Sequence, residues 1–221
     1  MTRTLQAGFV PLVDAAPLIA AAEMGFAATE GIGLKLVRQA SWASLRDHLN
    51  IGYLDCAHAL APLPIAAALG IGQVRSDIVV PFVLSRGGNG ITLSRALADE
   101  IRGANQGMNP TDGREWARAL AIAIRQRRDP VTLAMVYPFS GHNFELRYWL
   151  ATAGIHPDRD VRLVAIPPPL VVESLRRRQI DGFCVGAPWS SIAATEGTGE
   201  IVATKSEIFP RGIEKVLAMP A

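Results

Sequence analysis

The stretch "LKLVRQASWASLRDHLNIGYLDCAHAL", residues 34–60, indicates the fold class. Its first six residues alternate as a half-buried strand does, and its last seven form a short apolar run typical of a strand. Between these runs, Ser41 precedes an apolar pattern of helical spacing that begins with Trp42 and Leu45. A strand, a helix and a second strand in this order predict a parallel sheet with right-handed crossovers.

The same alternation runs along the chain and restarts after the turn "RGGNG", residues 86–90. Before this turn we predict strands at 4–12, 34–39, 54–60 and 77–85 and helices at 14–31, 41–52 and 62–72. After it we predict strands at 91–94, 131–137, 160–166, 180–186 and 199–209, helices near 94–102, 114–128, 141–154, 168–179 and 187–197, and a polar loop at 103–113. The prediction is an α/β fold of two lobes, with 1–85 and 187–221 in lobe one and 86–186 in lobe two.

Composition argues against several classes of protein. With 221 residues, 49% of them hydrophobic, the chain can bury a sizeable core, and its net charge of +2 gives no general case for direct nucleic-acid binding. Cys56 and Cys184 are too few for a disulfide-stapled fold. Pro11, Asp14 and Pro17 interrupt the N-terminal apolar run, and no uninterrupted apolar stretch approaches about 18 residues. We therefore predict no signal peptide and no membrane span, and expect a cytoplasmic protein, or a periplasmic one if a leader has been removed.

Several polar or small residues fall where predicted strands end. Ligands of open α/β sheets bind beside the carboxyl ends of strands. The residues at such positions are Trp42 after the second strand, His58 at the end of the third, Asn89 at the first crossing between lobes, His142 after the strand "VTLAMVY", and Gly186 at the second crossing. The sequence therefore predicts a ligand site formed by these positions.

No pattern typical of catalysis or metal binding accompanies these residues. The chain has no HExxH, GxSxG, paired CxxC or GxxxxGK[ST] motif, so we predict no enzyme activity, metal or cofactor. Cys184 is either a nucleophile or a small buried residue. The triplet 176–178 of arginines is either the solvated face of a helix or a basic docking patch.

A series of segments resembles the nitrate/bicarbonate-binding solute receptor family. The segments are "GFVPLVDAAPLIAAAEMGF", "ASWASLRDHL", "LDCAHALAPLPIA", "GHNFELRYWLATAGI", "VAIPPPLVVESL" and "DGFCVGAPW", and together they cover essentially the whole chain. The resemblance implies a periplasmic-binding-protein-like fold of type II. It also implies that the two lobes close on a small oxyanion without performing chemistry.

The resemblance also implies which residues contact the ligand. The family's tryptophan in "SW" matches Trp42, its histidine in "GHNFELRYWL" matches His142, and its glycine in "FCVG" matches Gly186. Nitrate-binding members carry a lysine where "GIEKVLA" places Lys215, whereas bicarbonate-binding relatives have an acidic residue there and a calcium ion. Lys215 therefore favours nitrate or nitrite as the ligand.

Nitrate chemistry fits this set of residues. Nitrate is planar, singly charged and a weak acceptor, so its site needs one cation, several N–H donors and a flat π surface. Lys215 would supply the charge, and His58 would support the site from behind. The donors would be Trp42, Asn89, His142 and the backbone N–H groups near Gly88 and Gly186.

Each residue also has a purely structural interpretation. Trp42 has the helical spacing of a core residue, and His58 lies in an apolar strand where core histidines occur. His142 could cap a helix, and Lys215 could be an exposed lysine in a loose segment near the end of the sequence. These alternatives stay open at this point.

Asn89 bears on the type of receptor. Transporter-linked members of the family tend to have glutamine at the first crossing, whereas "GGNGI" resembles the leaderless cytosolic nitrate sensors. This resemblance implies a nitrate or nitrite sensor that holds an RNA-binding antitermination regulator without the anion and releases it with the anion.

Three other functions remain open. They are the exported receptor of an ABC permease, an enzyme like the pyrimidine-precursor synthases, and an interaction protein that binds no anion. The synthases are expected to have a cysteine-rich segment, which two distant cysteines do not provide. Family members also continue past the "EK" segment, so we expect lobe one to expose apolar surface here or to be completed by another chain.

Overall fold

A computed structural model describes residues 3–106 and 109–221 of the chain. The predicted loop at 103–113 and the start of predicted lobe one therefore lie partly outside the described residues. The strands are β1 (Arg3–Phe9), β2 (Ile32–Arg38), β3 (Cys56–Leu60), β4 (Ile78–Arg86), β5 (Asn89–Ser94), β6 (Val131–Met135), β7 (Val161–Ala165), β8 (Gly182–Gly186), β9 (Gly199–Thr204) and β10 (Ile213–Pro220). The helices are α1 (Ala16–Glu23), α2 (Phe26–Thr29), α3 (Trp42–Asn50), α4 (Pro62–Leu69), α5 (Arg95–Ala104), α6 (Gly113–Gln126), α7 (Gly141–Thr152), α8 (Val171–Arg176), α9 (Trp189–Thr195) and α10 (Lys205–Ile208), with short 3-10 turns at Val13–Ala15 and Pro168–Leu170.

The chain forms two compact units. Unit one comprises Met1–Arg86, Phe139–Gly141 and Gly212–Ala221, and unit two comprises Gly87–Pro138 and His142–Arg211. Each unit has one five-stranded sheet with helices against it, which confirms the predicted α/β class.

The sheet of unit one has the strand order β2-β1-β3-β10-β4. The first three strands are parallel, as the strand–helix–strand pattern of 34–60 predicts, and β10 runs antiparallel to both β3 and β4. The helix predicted at 14–31 is divided into α1 and α2, because Gly25 adopts a left-handed φ of 77° between them.

The sheet of unit two has the strand order β7-β6-β8-β5-β9. Here again three strands are parallel and a central strand, β5, runs antiparallel to both of its neighbours. The largest apolar cluster of this unit packs α5, α6 and α7 against the sheet and includes Trp116, Leu120 and Trp149. The two sheets therefore share one arrangement of strands. The antiparallel strand is the last strand of unit one, β10, but the first strand of unit two, β5.

The predicted second crossing needs correction. The segment 187–211, which was predicted to return to lobe one, belongs to unit two. The physical reason is the pairing of β9 along the free edge of β5, with Gly90 opposite Thr204 and Ser94 opposite Gly199. The strand predicted at 199–209 is also too long, since α10 begins at Lys205 behind a capping box formed by Thr204 and Glu207.

The C-terminal strand β10 was not predicted. It is an interior strand that lies between β3 and β4, and most of its residues are buried or half-buried. The pairing with β4 shifts register between Ile213 and Lys215, so the alternation of apolar and polar residues is broken there.

Unit one exposes large apolar side chains on α4, on the segment that follows it and on β4. Among them are Ile65, Leu69, Ile71, Val74 and Phe82. Within the described ranges, no helix is both long and apolar enough to cross a lipid bilayer.

Candidate functional site

Unit one contains a buried group of charged and aromatic side chains, here called the lysine cluster. Its members are Asp14, Trp42, His58, Glu214 and Lys215. Lys215 Nζ lies 2.9 Å from an Asp14 carboxylate oxygen, 2.8 Å from Glu214 Oε1 and 5.4 Å from the centre of the Trp42 ring. His58 Nε2 lies 2.9 Å from the other Asp14 oxygen, and the rings of His58 and Trp42 are 5.5 Å apart. Three residues predicted from the sequence therefore meet in one place.

The sheet of unit one places Lys215 and His58 on the same face. Leu217 of β10 is directly opposite His58 of β3, and Lys215 is two residues from Leu217 on the same strand. Side chains at i and i+2 of a strand, and at directly opposite positions, project to the same side. The interpretation of Lys215 as an exposed lysine in a loose chain end is therefore wrong.

A β-bulge explains how two consecutive residues enter the lysine cluster. Ile213 is opposite Arg86 and Lys215 is opposite Ser85, so two steps along β10 correspond to one step along β4. The extra residue is Glu214. Without such a bulge, Glu214 and Lys215 would point to opposite faces of the sheet.

Trp42 is held by the start of α3. Ser41 caps this helix by accepting a hydrogen bond from the Ser44 backbone N–H, and the Ser44 hydroxyl accepts one from the Ser41 backbone N–H. The capping box makes Trp42 the first helical residue and fixes its orientation, and its side chain is fully buried.

Electrostatics fixes the charges of the lysine cluster. Burial would raise the pKa of Asp14, but the Lys215 ammonium and the hydrogen bond from His58 lower it to about 2. Burial would lower the pKa of Lys215, but Glu214 and Asp14 outweigh this effect and raise it. Burial lowers the pKa of His58, and the hydrogen bond to Asp14 opposes this only in part. At neutral pH Asp14 is therefore a carboxylate, Lys215 an ammonium and His58 a neutral imidazole.

Three polar atoms around Lys215 have no hydrogen-bond partner among the described residues. They are Trp42 Nε1, His58 Nδ1 and the hydroxyl oxygen of Ser85, which is opposite Lys215 in the sheet. A buried polar atom without a partner costs about 1–3 kcal/mol. Buried polar atoms without a partner are rare in folded proteins, and a ligand, an ion or water can supply the missing partner.

Unit two contains a second buried polar group, here called the amide cluster, formed by Asn89, Glu145 and Lys205. The Asn89 amide nitrogen donates to Glu145 Oε2 over 2.9 Å, and Lys205 Nζ donates to the other Glu145 oxygen. All three side chains are at least nine-tenths buried. Glu145 therefore joins Asn89 to Lys205 through its two oxygens.

Strand pairing brings the predicted glycines to the amide cluster. Asn89, the first residue of β5, is directly opposite Gly186, the last residue of β8. Gly88 precedes it with a left-handed φ of 87° and accepts a hydrogen bond from the Ala187 backbone N–H. The fully buried His142 and Glu145 are three residues apart on the buried face of α7.

The predicted site residues thus fall into two groups by unit. Trp42, His58 and Lys215 lie in unit one, and Gly88, Asn89, His142 and Gly186 lie in unit two. Sequence reasoning missed three charged residues that contact the predicted site residues: Asp14, Glu145 and Glu214. It also missed Lys205, which contacts Glu145. Glu145 had a readable signal, because it shares the helical spacing of buried residues in α7, whereas Glu214 had none because the bulge is not visible in the pattern.

The other candidate residues have structural surroundings. Cys184 is a buried free cysteine in the core of unit two. Arg176 and Arg177 form ion pairs with Glu173 on the exposed face of α8, which agrees with a solvated helix. No group of three or more His, Cys, Asp or Glu side chains suited to a metal ion occurs in the part of the chain that the structure describes.

The chain is similar to proteins named for nitrate and bicarbonate transport. The sequence pattern of the NMT1-like family matches residues 1–221. A nitrate import ATP-binding protein of Synechocystis sp. is 39% identical over 97% of the chain, and a bicarbonate transport ATP-binding protein of the same organism is 42% identical over 97%. The chain spans only 31% of the length of each of these relatives.

A solved structure supports the same grouping. The periplasmic nitrate-binding protein NrtA from Synechocystis superposes with a TM-score of 0.88 and 31% identity. The superposition covers 98% of this chain and 55% of NrtA. This match confirms the predicted periplasmic-binding-protein-like fold.

Proposed function

We propose, from the premise that the chain belongs to the NMT1-like family, that it is a receptor for a small monovalent oxyanion, with nitrate or nitrite as its ligand. The observation that carries the proposal is the buried indole N–H of Trp42, which has no partner among the described residues and lies beside Lys215. A planar anion requires hydrogen-bond donors, a flat ring and a nearby cation, and Trp42 supplies the first two while Lys215 supplies the third.

The lysine cluster would recognise the anion mainly through neutral donors. The charge of Lys215 is already matched by Asp14 and Glu214, so the ammonium contributes orientation and a share of its three N–H groups rather than a free charge. Trp42 then supplies a directed N–H at little conformational cost, because α3 fixes its position.

We further propose that Asn89, His142, and the backbone around Gly88 and Gly186 supply anion contacts in unit two. Asn89 is held at the start of β5 by the hydrogen bond that its amide donates to Glu145. Trp189, three residues beyond Gly186, adds a buried indole N–H that has no partner among the described residues.

Titration calorimetry of the whole chain with nitrate, nitrite, hydrogen carbonate and sulfate tests the proposal. Trp42→Phe keeps the ring and removes the N–H, so we expect nitrate affinity to fall about five- to tenfold, as for one lost hydrogen bond. The matched control is Trp149→Phe, since the Trp149 indole N–H already donates to the Gly113 carbonyl oxygen. Equal affinity in both variants and in the native chain would remove Trp42 from the site, and no binding of any of the four anions by the folded chain would refute the function.

In the cell, we propose a sensor role in which the anion changes a surface that a regulatory partner recognises, such as an RNA-binding antitermination regulator. A ligand shifts such an equilibrium only by its difference in affinity between the two states. The names of the relatives support a second candidate, the substrate-binding component of an ABC-type nitrate transporter. Affinity capture with and without nitrate separates the two, because the sensor loses a partner when nitrate is added and a transport receptor binds permease.

A further inference from the structure

His58 has a definite proton arrangement. Its Nε2 atom lies 2.9 Å from an oxygen of Asp14, a carboxylate whose pKa is lowered to about 2 and which can therefore only accept. Nε2 must carry the hydrogen of this bond. In the neutral imidazole the other nitrogen, Nδ1, is then a lone-pair acceptor, and it is buried without a partner among the described residues.

This arrangement does not suit nitrate. Nitrate has no hydrogen to donate to Nδ1, so the lone pair of His58 would face an anion. The ammonium of Lys215 already contacts two acidic side chains, Asp14 and Glu214, and a monovalent anion would add a further negative charge beside them. Both obstacles are removed by the same event, which is protonation of Nδ1.

We propose that His58 takes up one proton from solvent when nitrate binds, so that the nitrate affinity of this chain rises as pH falls. This inference rests on the proposed function and makes His58 a ligand-contacting residue rather than a supporting one. The new Nδ1–H donates to a nitrate oxygen, while Nε2–H keeps its bond to Asp14. The proton adds one positive charge to the lysine cluster, which offsets the charge of the anion.

The groups that act on His58 come from three elements. Asp14 belongs to the 3-10 turn at Val13–Ala15, Lys215 and Glu214 belong to β10, and the uncharged ring of Trp42 belongs to α3. In the free protein, burial and Lys215 favour neutral His58, while Asp14 and Glu214 favour the cation. A bound anion also favours the cationic form, as Asp14 and Glu214 do, so the pKa of His58 is higher in the complex than in the free protein.

The sign of the pH effect follows from this difference. Between the two pKa values of His58, nitrate binding is accompanied by proton uptake, and affinity falls about tenfold per pH unit as pH rises. Hydrogen carbonate behaves differently because it has its own O–H, which can donate to the Nδ1 lone pair. We expect binding of the hydrogen carbonate ion to take up no proton.

The experiment is calorimetric titration of the native chain from about pH 6 to about pH 8.5, in pairs of buffers with different ionisation enthalpies. The dependence of the binding enthalpy on the buffer counts the protons taken up. We expect about one proton per nitrate within the sloping part of the profile and about none per hydrogen carbonate. This readout needs no variant, so it stands even if substitutions at His58 prevent folding.

A variant assigns the proton to His58. In His58→Gln the side chain does not titrate, so nitrate affinity should no longer change with pH and proton uptake should disappear. His156→Gln is the matched control, because His156 is exposed and lies in unit two. Nitrate binding without proton uptake and with constant affinity over the whole pH range would overturn this inference while leaving the receptor function intact. Proton uptake that persists in His58→Gln would also overturn it, whereas a folded chain that binds none of the anions at any pH refutes the receptor function itself.

Discussion

The two units each bury one lysine, but they use it differently. In the amide cluster, Lys205 Nζ donates to Glu145, whose second oxygen accepts from Asn89. In the lysine cluster, Lys215 Nζ contacts both Asp14 and Glu214, and aromatic nitrogens nearby lack partners among the described residues. Unpartnered indole nitrogens occur in both units, since Trp189 of unit two has one as Trp42 does. What unit one adds is an ammonium that lies between two acidic side chains and beside the ring of Trp42.

The largest expected effect comes from removing each lysine. Removing one partner of a buried ion pair costs about 3–5 kcal/mol, because a charge stays buried without compensation. We expect Lys215→Met to lower the free energy of unfolding more than Lys205→Met does, since the Lys215 ammonium contacts both Asp14 and Glu214, whereas Lys205 contacts Glu145. Urea unfolding followed by circular dichroism measures both, with Lys35→Met as the exposed control. Equal losses would show that Glu214 and Asp14 do not depend on Lys215 in the way the distances indicate.

The next effect is acid sensitivity that originates in unit one. The pKa of Asp14 falls from an ordinary 3.8 to about 2, so folding favours its charged form. Its contribution of about 2 kcal/mol is fully present above the unfolded pKa and is lost as pH falls through about 2. The unfolding free energy, measured at intervals across this acid range, should therefore fall less steeply in Asp14→Asn than in the native chain. Parallel curves would contradict the lowered pKa.

A smaller effect separates indoles with and without partners. Trp42→Phe and Trp149→Phe both leave a cavity of similar size at a buried position, so each lowers the unfolding free energy. In the absence of anion, we expect the loss to be smaller in Trp42→Phe, because it removes a donor that has no partner among the described residues. Trp149→Phe also removes the donor to the Gly113 carbonyl and should cost about 1 kcal/mol more. Thermal unfolding of the two variants side by side checks this order, and a larger loss in Trp42→Phe would mean that its N–H has a structural role.

The smallest effect is expected at the surface. Arg177 pairs with Glu173 one helical turn away, and the Arg177 side chain is 66% exposed. Exposed pairs of this kind contribute less than about 0.5 kcal/mol. Arg177→Ala should therefore change stability far less than either buried lysine variant in the same urea assay, and a loss comparable to theirs would show that this pair is shielded from solvent.

Local patterns predicted some elements well and others poorly. The helix from Trp42 and the strand ending at Leu60 were predicted within a few residues, because a capping serine and a compact apolar run are local signals. The strand β10 was missed, since the bulge at Glu214 disturbs its alternation. The second crossing was misplaced because β9 and a strand returning to the first sheet have the same local pattern, and only pairing with β5 distinguishes them.

The candidate site shows the same division. Trp42, His58 and Lys215 could be proposed from residue type, strand ends and the family resemblance, and they do meet in one cluster. That Lys215 is already neutralised by Asp14 and Glu214 could not be proposed, because these residues are about 200 positions apart or related by a bulge.

By itself, the sequence determined the α/β class, the parallel strands of 34–60 and the residue types that an oxyanion requires, since propensity, capping and side-chain chemistry act over a few neighbouring residues. Only the tertiary structure decided that β10 lies between β3 and β4, that Glu214 joins Lys215, and that Nδ1 of His58 is buried without a partner among the described residues. These features depend on strand pairing between distant segments. Backbone hydrogen bonds form in the same way whichever side chains they bring together, so the local sequence does not reveal the pairing.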